Sequence, residues 1–307
     1  MFDPIFLYSL ISLALVILAG WFSRKTKILG SQDARGLSAF VYNFGLPALF
    51  FSKLANLDLS GVDLWLLAGS VGPLVILFLL VWLLWLVRLL TKERMILLGI
   101  SVLFGSNAFY GIPFFESLYG DWGLERAVIT AALLGSFGIV ATLTLFEYAT
   151  HENRESTALI RVLKSPLILS IFLGLICSAL GWRMNILLDA LALLGKTASG
   201  TAIFMIGMYV YDHFSWQNIK KALPYTLFRV FGLPVMTIIL IIMVDHSNSR
   251  LNSFLFLQSG IPAAVSIAIF AERYRYKIDE LTGVVVLTAL MSFPVLSCIR
   301  LLVDVFL

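Results

Sequence analysis

The chain has 307 residues, of which 60% are hydrophobic and only 13% are charged, and its mean hydropathy is +0.96. A soluble protein is closer to about half apolar and about a quarter charged, so this composition excludes an ordinary soluble globular protein and predicts one embedded in a lipid bilayer. The net charge of +4 is small and gives no reason to expect a nucleic-acid partner.

Ten apolar runs are long enough to be membrane spans, because about 20 apolar residues cross roughly 30 Å of hydrocarbon. Lys196 interrupts the seventh run and Arg229 the eighth. The predicted spans, in chain order, are Pro4–Phe22, Leu37–Leu54, Leu64–Leu89, Met95–Leu118, Ala127–Tyr148, Ser165–Trp182, Ile186–Tyr211, Ala222–Val244, Leu251–Ala271 and Leu281–Val303.

The basic residues are distributed unequally between the loops of this topology. When residues at a span end are counted with the adjoining loop, fifteen of the 22 Lys and Arg residues belong to odd-numbered loops, four to even-numbered loops and three to the spans. Short basic loops stay in the cytoplasm. The sequence therefore predicts a multi-pass protein of the inner or plasma membrane with both termini on the non-cytoplasmic side.

The two halves of the chain, residues 1–155 and 156–307, share a feature in the same order. A Gly-Ile-Pro tripeptide occurs at Gly111–Pro113 in the fourth span and at Gly260–Pro262 in the ninth. Because each half has five spans, the second half would run upside down relative to the first. That plan is the inverted repeat of many secondary transporters. We therefore expect an all-α polytopic membrane protein with ten transmembrane helices in a 5+5 inverted repeat.

Pro113 and Pro262 are predicted to break the fourth and ninth helices near the middle of the membrane. Proline removes a helical hydrogen bond, and glycine beside it loosens the backbone further. In hydrocarbon, broken helices survive only where protein or a water-filled cavity lines them. If the two breaks cross, their free N–H groups and carbonyls can bind an anion without a fixed cationic side chain. The alternative is that each proline only kinks a packed helix.

Polar residues gather near the same two places. Hydrogen-bonding side chains of this kind suit a carboxylate or a neutral polar group, but in a membrane they also hold helices together. The candidate substrate-binding residues are Ser106, Asn107, Gly111, Pro113, Gln258, Ser259, Pro262, Ser266 and, in the second span, Asn43, which either reaches the crossing or satisfies a kink.

Three basic residues, Lys196, Arg229 and Arg300, lie deeper within predicted spans than the basic residues at the span ends. Intramembrane charges are functional by default. Lys196 either neutralises an anionic substrate, pairs with an acid such as Glu116, replaces a coupling cation or snorkels to the interface. Arg229 and Arg300 are interpreted as serving topology or helix packing. Cys177 and Cys298 lack CxxC spacing, and the three histidines are not near a cysteine, so no metal and no cofactor are expected.

Several stretches together resemble the auxin efflux carrier family, which includes plant PIN carriers and bacterial malate and malonate carriers. The likeness covers nearly the whole chain and keeps the order of the motifs. The stretches are YNFGLPALF at 42–50, GSNAFYGIP at 105–113, LFEY at 145–148 and PAAVSIAIFAERY at 262–274.

The resemblance implies ten spans in a five-plus-five inverted repeat, crossing broken helices and transport of small organic anions. It also implies a scaffold of spans 1, 2, 6 and 7 and a transport domain of spans 3–5 and 8–10. Two positions depart from the family. Ser106 stands where Asn is frequent, with Asn107 following it, and Ser266 stands where many bacterial relatives have Asn.

We therefore predict a secondary active transporter for a small organic acid, a mono- or dicarboxylate, that works by alternating access. A proton or sodium ion would couple transport, and plant relatives point to a homodimer. The alternative is a membrane-embedded receptor that binds the ligand without moving it. An intramembrane enzyme would need a catalytic constellation at membrane depth, and the sequence contains none, so we expect no enzyme.

Overall fold

A computed structural model describes residues 4–56, 63–150, 166–182, 185–244 and 248–306. Within these ranges the regular secondary structure is helical, apart from one isolated bridge between two residues. The α-helices of the described residues are α1 (Pro4–Lys25), α2 (Ser31–Phe40), α3 (Leu46–Ala55), α4 (Leu64–Leu86), α5 (Lys92–Leu103), α6 (Ile112–Tyr119), α7 (Asp121–Thr150), α8 (Pro166–Ala179), α9 (Asn185–His213), α10 (Trp216–Val244), α11 (Ser249–Ser259), α12 (Ser266–Tyr274) and α13 (Ile278–Phe306).

Seven helical segments of the described residues are long and apolar enough to cross a membrane. They are α1, the continuous segment from α2 to α3, α4, α7, α9, α10 and α13. They coincide with seven of the ten predicted spans. The sixth predicted span corresponds to α8, which has 14 residues, and the fourth and ninth are each divided into two shorter helices. The all-helical prediction is confirmed, whereas the count of ten spans stays a prediction.

The ninth predicted span is interrupted where the sequence indicates. Helix α11 ends at Ser259 and α12 begins at Ser266, so Pro262 lies inside the interruption. The fourth predicted span is interrupted earlier than expected. Helix α5 ends at Leu103, and Phe104 has an extended backbone with φ −123° and ψ 102°. The prediction that this break lies at Pro113 is wrong, because Pro113 lies in the first turn of α6.

Two π-helical segments explain why some prolines do not break their helices. The segment Val41–Gly45 joins α2 to α3 just before Pro47, and Asn107–Gly111 runs into α6 just before Pro113. In an α-helix the proline ring clashes with the carbonyl four residues earlier. In each π segment the N–H that follows it donates to a carbonyl five residues back, as Ile112 does to Asn107. This wider turn leaves room for the proline ring.

The helices form two groups by packing. Helix α1 packs against α9, and α3 packs against both α8 and α9. In the other group α10 packs against α4, α5, α11 and α13, and α7 packs against α5 and α6. The two groups meet where α9 contacts α6, α13 and the π segment before α6. The interrupted elements therefore lie within the second group, and among them α6 and its π segment contact the first group.

The contact between α1 and α9 depends on two glycines. A Cβ atom on Gly20 would lie 1.9 Å from the carbonyl oxygen of Phe204, and one on Gly207 would lie 1.9 Å from that of Ile17. No side chain fits at either place, so the two backbones touch directly. Small residues at helix interfaces permit this approach in membranes, where packing rather than the hydrophobic effect joins helices.

Candidate functional site

The two interrupted helices meet and pair through their backbones. Gly105 and Ala263 form an antiparallel bridge. The N–H of Ser106 donates to the carbonyl of Pro262 at 2.8 Å, and the N–H of Ala264 donates to that of Phe104 at 3.1 Å. An unpaired peptide group in hydrocarbon costs several kcal/mol, so each break supplies partners that the other requires. This pairing is the crossover of the two broken segments.

Arg229 of α10 reaches the crossover and binds both broken segments. The residue is only 3% exposed. Its Nη1 donates to the carbonyl oxygens of Ser101 at 2.5 Å and Val102 at 2.9 Å. Its Nη2 donates to those of Ile261 at 3.0 Å and Pro262 at 3.4 Å. The ion pairs of the described residues do not include Arg229, so carbonyl dipoles alone hold its charge there.

The guanidinium fits because residue 105 is glycine. A Cβ atom on Gly105 would lie 2.9 Å from Nη2 of Arg229 and 3.0 Å from Nδ2 of Asn107. Real Cβ atoms essentially never come closer than 3.0 Å to a neighbour, so the guanidinium would have to shift, and the amide of Asn107 would be crowded. Glycine at position 105 therefore allows two polar side chains to approach the backbone closely.

A small cavity of about 30 Å³ lies beside the crossover. By this volume it holds roughly two or three water molecules, which is small for an organic acid. Helices α4, α7, α10 and α11 line it together with the crossover. Its polar lining consists of Ser70, Asn107, Arg229, Thr237, Gln258 and Ser259.

One hydrogen bond links the cavity wall to the second broken segment. Oγ of Ser70 in α4 lies 2.8 Å from Oε1 of Gln258 at the end of α11. Both residues are buried. On the opposite side of the crossover, Oγ1 of Thr288 accepts a hydrogen bond from the N–H of Ala263 at 3.0 Å. The crossover is therefore held from α4, α10 and α13 by polar contacts.

Several residues predicted from the sequence are brought together here. Asn107, Gln258 and Ser259 line the cavity. Ser106 is buried in the crossover, and its Oγ has no hydrogen-bond partner among the described residues. The other three of this group are Pro262 in the second break, Gly111 against Ile261, and Ser266 at the start of α12.

Four other predicted residues lie elsewhere. Pro113 lies within α6, beyond the π segment. The exposed side chain of Asn43 donates to the carbonyl of Ala39 in its own helix at 2.8 Å. Lys196 and Glu116 are both exposed, and the described residues give no ion pair between them.

The sequence interpretation missed the central position of Arg229. It assigned this residue to topology or helix packing, whereas the side chain binds four carbonyls of the crossover. The signal was an arginine in the middle of an apolar span, which is functional by default. Ser70 and Thr237 carried no such signal, since hydroxyl residues in a membrane helix usually bond to their own backbone.

Comparison with known proteins identifies the family. The model of the membrane transport protein family matches residues 5–300. The lysosomal cholesterol signaling protein of Mus musculus is 26% identical over 92% of this chain, which spans only 35% of that protein. The uncharacterized transporter YfdV of Escherichia coli is 25% identical over 88% of both chains. An uncharacterized transporter of Methanothermobacter thermautotrophicus is 22% identical over 92% of this chain and 94% of its own length.

The family match covers almost the entire chain, and its relatives from Escherichia coli and Methanothermobacter are named as transporters rather than enzymes. The resemblance drawn from the motifs is thereby confirmed. The chain belongs to the membrane transport protein family, the auxin efflux carrier family that its motifs resemble.

Proposed function

We propose that this membrane transport protein is a secondary active transporter that moves a small organic anion, a mono- or dicarboxylate, by alternating access at the crossover. The observation that carries the proposal is the buried guanidinium of Arg229 at the paired breaks, with no carboxylate bound to it among the described residues. A buried charge is expensive unless it is compensated. An anion at this place would supply the missing charge.

The chemistry around the cavity suits a carboxylate. Asn107 lies at the start of the π segment that leads into α6, where the first N–H groups have no earlier helical carbonyl and the dipole is positive. Among the described residues its side-chain amide makes one hydrogen bond, a long one of 3.4 Å to the carbonyl of Gly105. Breaking this weak hydrogen bond costs little free energy when the amide turns to bind a ligand. We assign substrate contact to Asn107, Gln258 and the backbone N–H groups.

The packing supports a 5+5 inverted repeat with two moving parts. If spans 1 to 5 correspond to spans 6 to 10, the contact of α1 with α9 corresponds to that of α3 with α8, and both contacts occur. Likewise the contact of α4 with α7 corresponds to that of α10 with α13, and both occur. We assign α1, α2–α3, α8 and α9 to a scaffold and the remaining helices to a transport domain.

The small size of the cavity indicates which conformational change transport would require. At about 30 Å³ it holds roughly two or three water molecules, so we infer that the walls separate to admit a carboxylate. Displacing the transport domain against the scaffold would open the crossover to one side and then to the other. The unequal distribution of basic residues between the loops sets the orientation of the protein in the membrane. The basic loops lie in the cytoplasm, and both termini lie outside. We further propose that a proton or sodium ion couples transport and that the protein forms a homodimer.

A binding screen followed by flux tests this function. Purified protein is screened for thermal stabilisation by mono- and dicarboxylates, since a ligand that binds the folded state raises Tm. The best ligand is then measured for uptake into proteoliposomes under imposed proton and sodium gradients. We expect saturable uptake driven by a gradient. Thermal stabilisation by neutral compounds only, with none by any organic acid, would contradict the proposal.

A receptor that binds without transport is the second candidate. The relative from Mus musculus, 26% identical over 92% of this chain, bears the name of a signaling protein. Its name concerns that longer protein. The same proteoliposomes separate the two functions: a ligand that stabilises the protein but never crosses the membrane under any gradient would favour the receptor.

A further inference from the structure

The guanidinium of Arg229 lies in a shell of backbone carbonyls. Four carbonyl oxygens receive its hydrogen bonds at 2.5, 2.9, 3.0 and 3.4 Å, two from each broken segment. No acidic side chain of the described residues takes part. A ligand shell made only of carbonyl oxygens is typical of a site for a hard cation rather than of an ordinary arginine ion pair.

These carbonyls belong to the ends of helices. Ser101 and Val102 lie in the last turn of α5, and Ile261 and Pro262 follow the end of α11. The last turn of a helix leaves carbonyls without helical donors and carries partial negative charge. In secondary transporters with broken helices, such carbonyls coordinate the coupling cation. The crossover therefore contains the ligands of a cation site, and a side chain of the protein fills it.

We propose that Arg229 is a tethered cation that permanently occupies a coupling-cation site at the crossover. Binding of the anion then requires no metal ion at this place, and a sodium gradient does not act through it. The inference rests on the proposed function for its role in transport. The cation site itself rests only on the carbonyl geometry.

The surroundings of Arg229 leave room for a separate cation when the side chain is shortened. Nη2 fills the space beside Gly105, where a Cβ atom would lie only 2.9 Å from it, so a shorter side chain would vacate that space. A second cavity of about 10 Å³ adjoins Arg229 and is lined by Thr288 and Ser292. A neutral residue at position 229 would leave the four carbonyls without a cation, and a small soluble cation could reach them.

The test compares Arg229→Gln with Arg229→Lys. Both replacements shorten the side chain and remove the guanidinium; glutamine is neutral and lysine keeps the charge. The matched control is Thr226→Val, a fully buried position one turn earlier on α10 that does not touch the crossover carbonyls. Thermal stability in detergent is measured with guanidinium, sodium, potassium or choline at millimolar concentration, far below denaturing levels.

We expect the Gln variant to gain roughly 3–6 °C in Tm, saturably, from guanidinium or sodium but not from choline. Wild type, Thr226→Val and Arg229→Lys should not respond. If the Gln variant is unstable, its yield of monodisperse protein with and without guanidinium during extraction gives the same comparison. The inference is overturned if the Gln variant responds to cations no more than wild type does. It is also overturned if the Lys variant gains as much stability from cations as the Gln variant does.

This measurement needs no substrate, so it separates the two proposals. Saturable cation binding by the Gln variant together with no organic-acid flux in wild type would uphold the cation site and contradict the transporter. Organic-acid flux in wild type together with an Arg229→Gln variant that gains no stability from any cation would leave the transporter standing and overturn the tethered cation.

Discussion

Gly105 and Arg229 touch at the crossover, where a Cβ on the glycine would lie 2.9 Å from Nη2 of the arginine. One residue belongs to the first broken segment, and the other donates hydrogen bonds to both segments. The missing side chain of Gly105 and the long side chain of Arg229 are therefore complementary features of one site.

Gly105→Ala should displace the guanidinium or the amide of Asn107. Overpacking of a fixed site costs about 1–3 kcal/mol, and a loss of 1.4 kcal/mol in binding is about tenfold in Kd. We expect the affinity for the anion to fall by about tenfold or more, as measured by ligand titration of Tm or by calorimetry. Gly135→Ala in α7 is the control, because a Cβ there meets nothing within 4 Å. Equal affinity in the two variants would show that the close approach is not required.

Ser70→Ala should weaken the cavity wall at α11. The change removes the hydroxyl, which lies 2.8 Å from Oε1 of Gln258 and 2.7 Å from the carbonyl of Leu66 in its own helix, at a cost of up to about 1–3 kcal/mol. We expect KM for uptake to rise several-fold while the protein stays folded. Ser136→Ala is the control, since its hydroxyl donates only to Ala132 in its own helix. If both variants show the wild-type KM, the contact between α4 and α11 has no part in binding.

Gly207→Ala should disrupt the contact of α1 with α9. The new Cβ would lie 1.9 Å from the carbonyl oxygen of Ile17, so the helices must separate. We expect a lower yield of monodisperse protein or a fall in Tm of about 4 °C or more. Gly200→Ala, in the same helix, meets nothing within 4 Å and should leave Tm unchanged or slightly raised. Equal Tm values for the two variants would refute this helix contact.

The sequence indicated the second break better than the first. Around Pro262 the glycine and proline fall inside the interruption, because this segment has no π turn to absorb the proline. Before Pro113 the π segment Asn107–Gly111 accommodates the ring, and the break moves back to Phe104. Composition does not reveal a π turn, since its only requirement is a hydrogen bond shifted by one residue.

Some of the candidate site residues could be predicted from the sequence, and others could not. Asn107, Gln258 and Ser259 lie next to the breaks in sequence, and the fold keeps them together at the cavity. Arg229 comes from a different helix, so only the tertiary structure shows which carbonyls it binds. Lys196 attracted attention as an intramembrane charge, but its side chain is exposed. A sequence gives the depth of a charge in the membrane but not the direction in which it points.

The most direct measurement is uptake of the stabilising organic acid by proteoliposomes containing wild type or Asn107→Ala. We expect saturable, gradient-driven uptake by wild type and its loss in the variant, with an unchanged Tm in the absence of ligand and Gln217→Ala, an exposed position near the start of α10, behaving as wild type. Uptake by Asn107→Ala at the wild-type rate and KM would contradict substrate binding at the crossover.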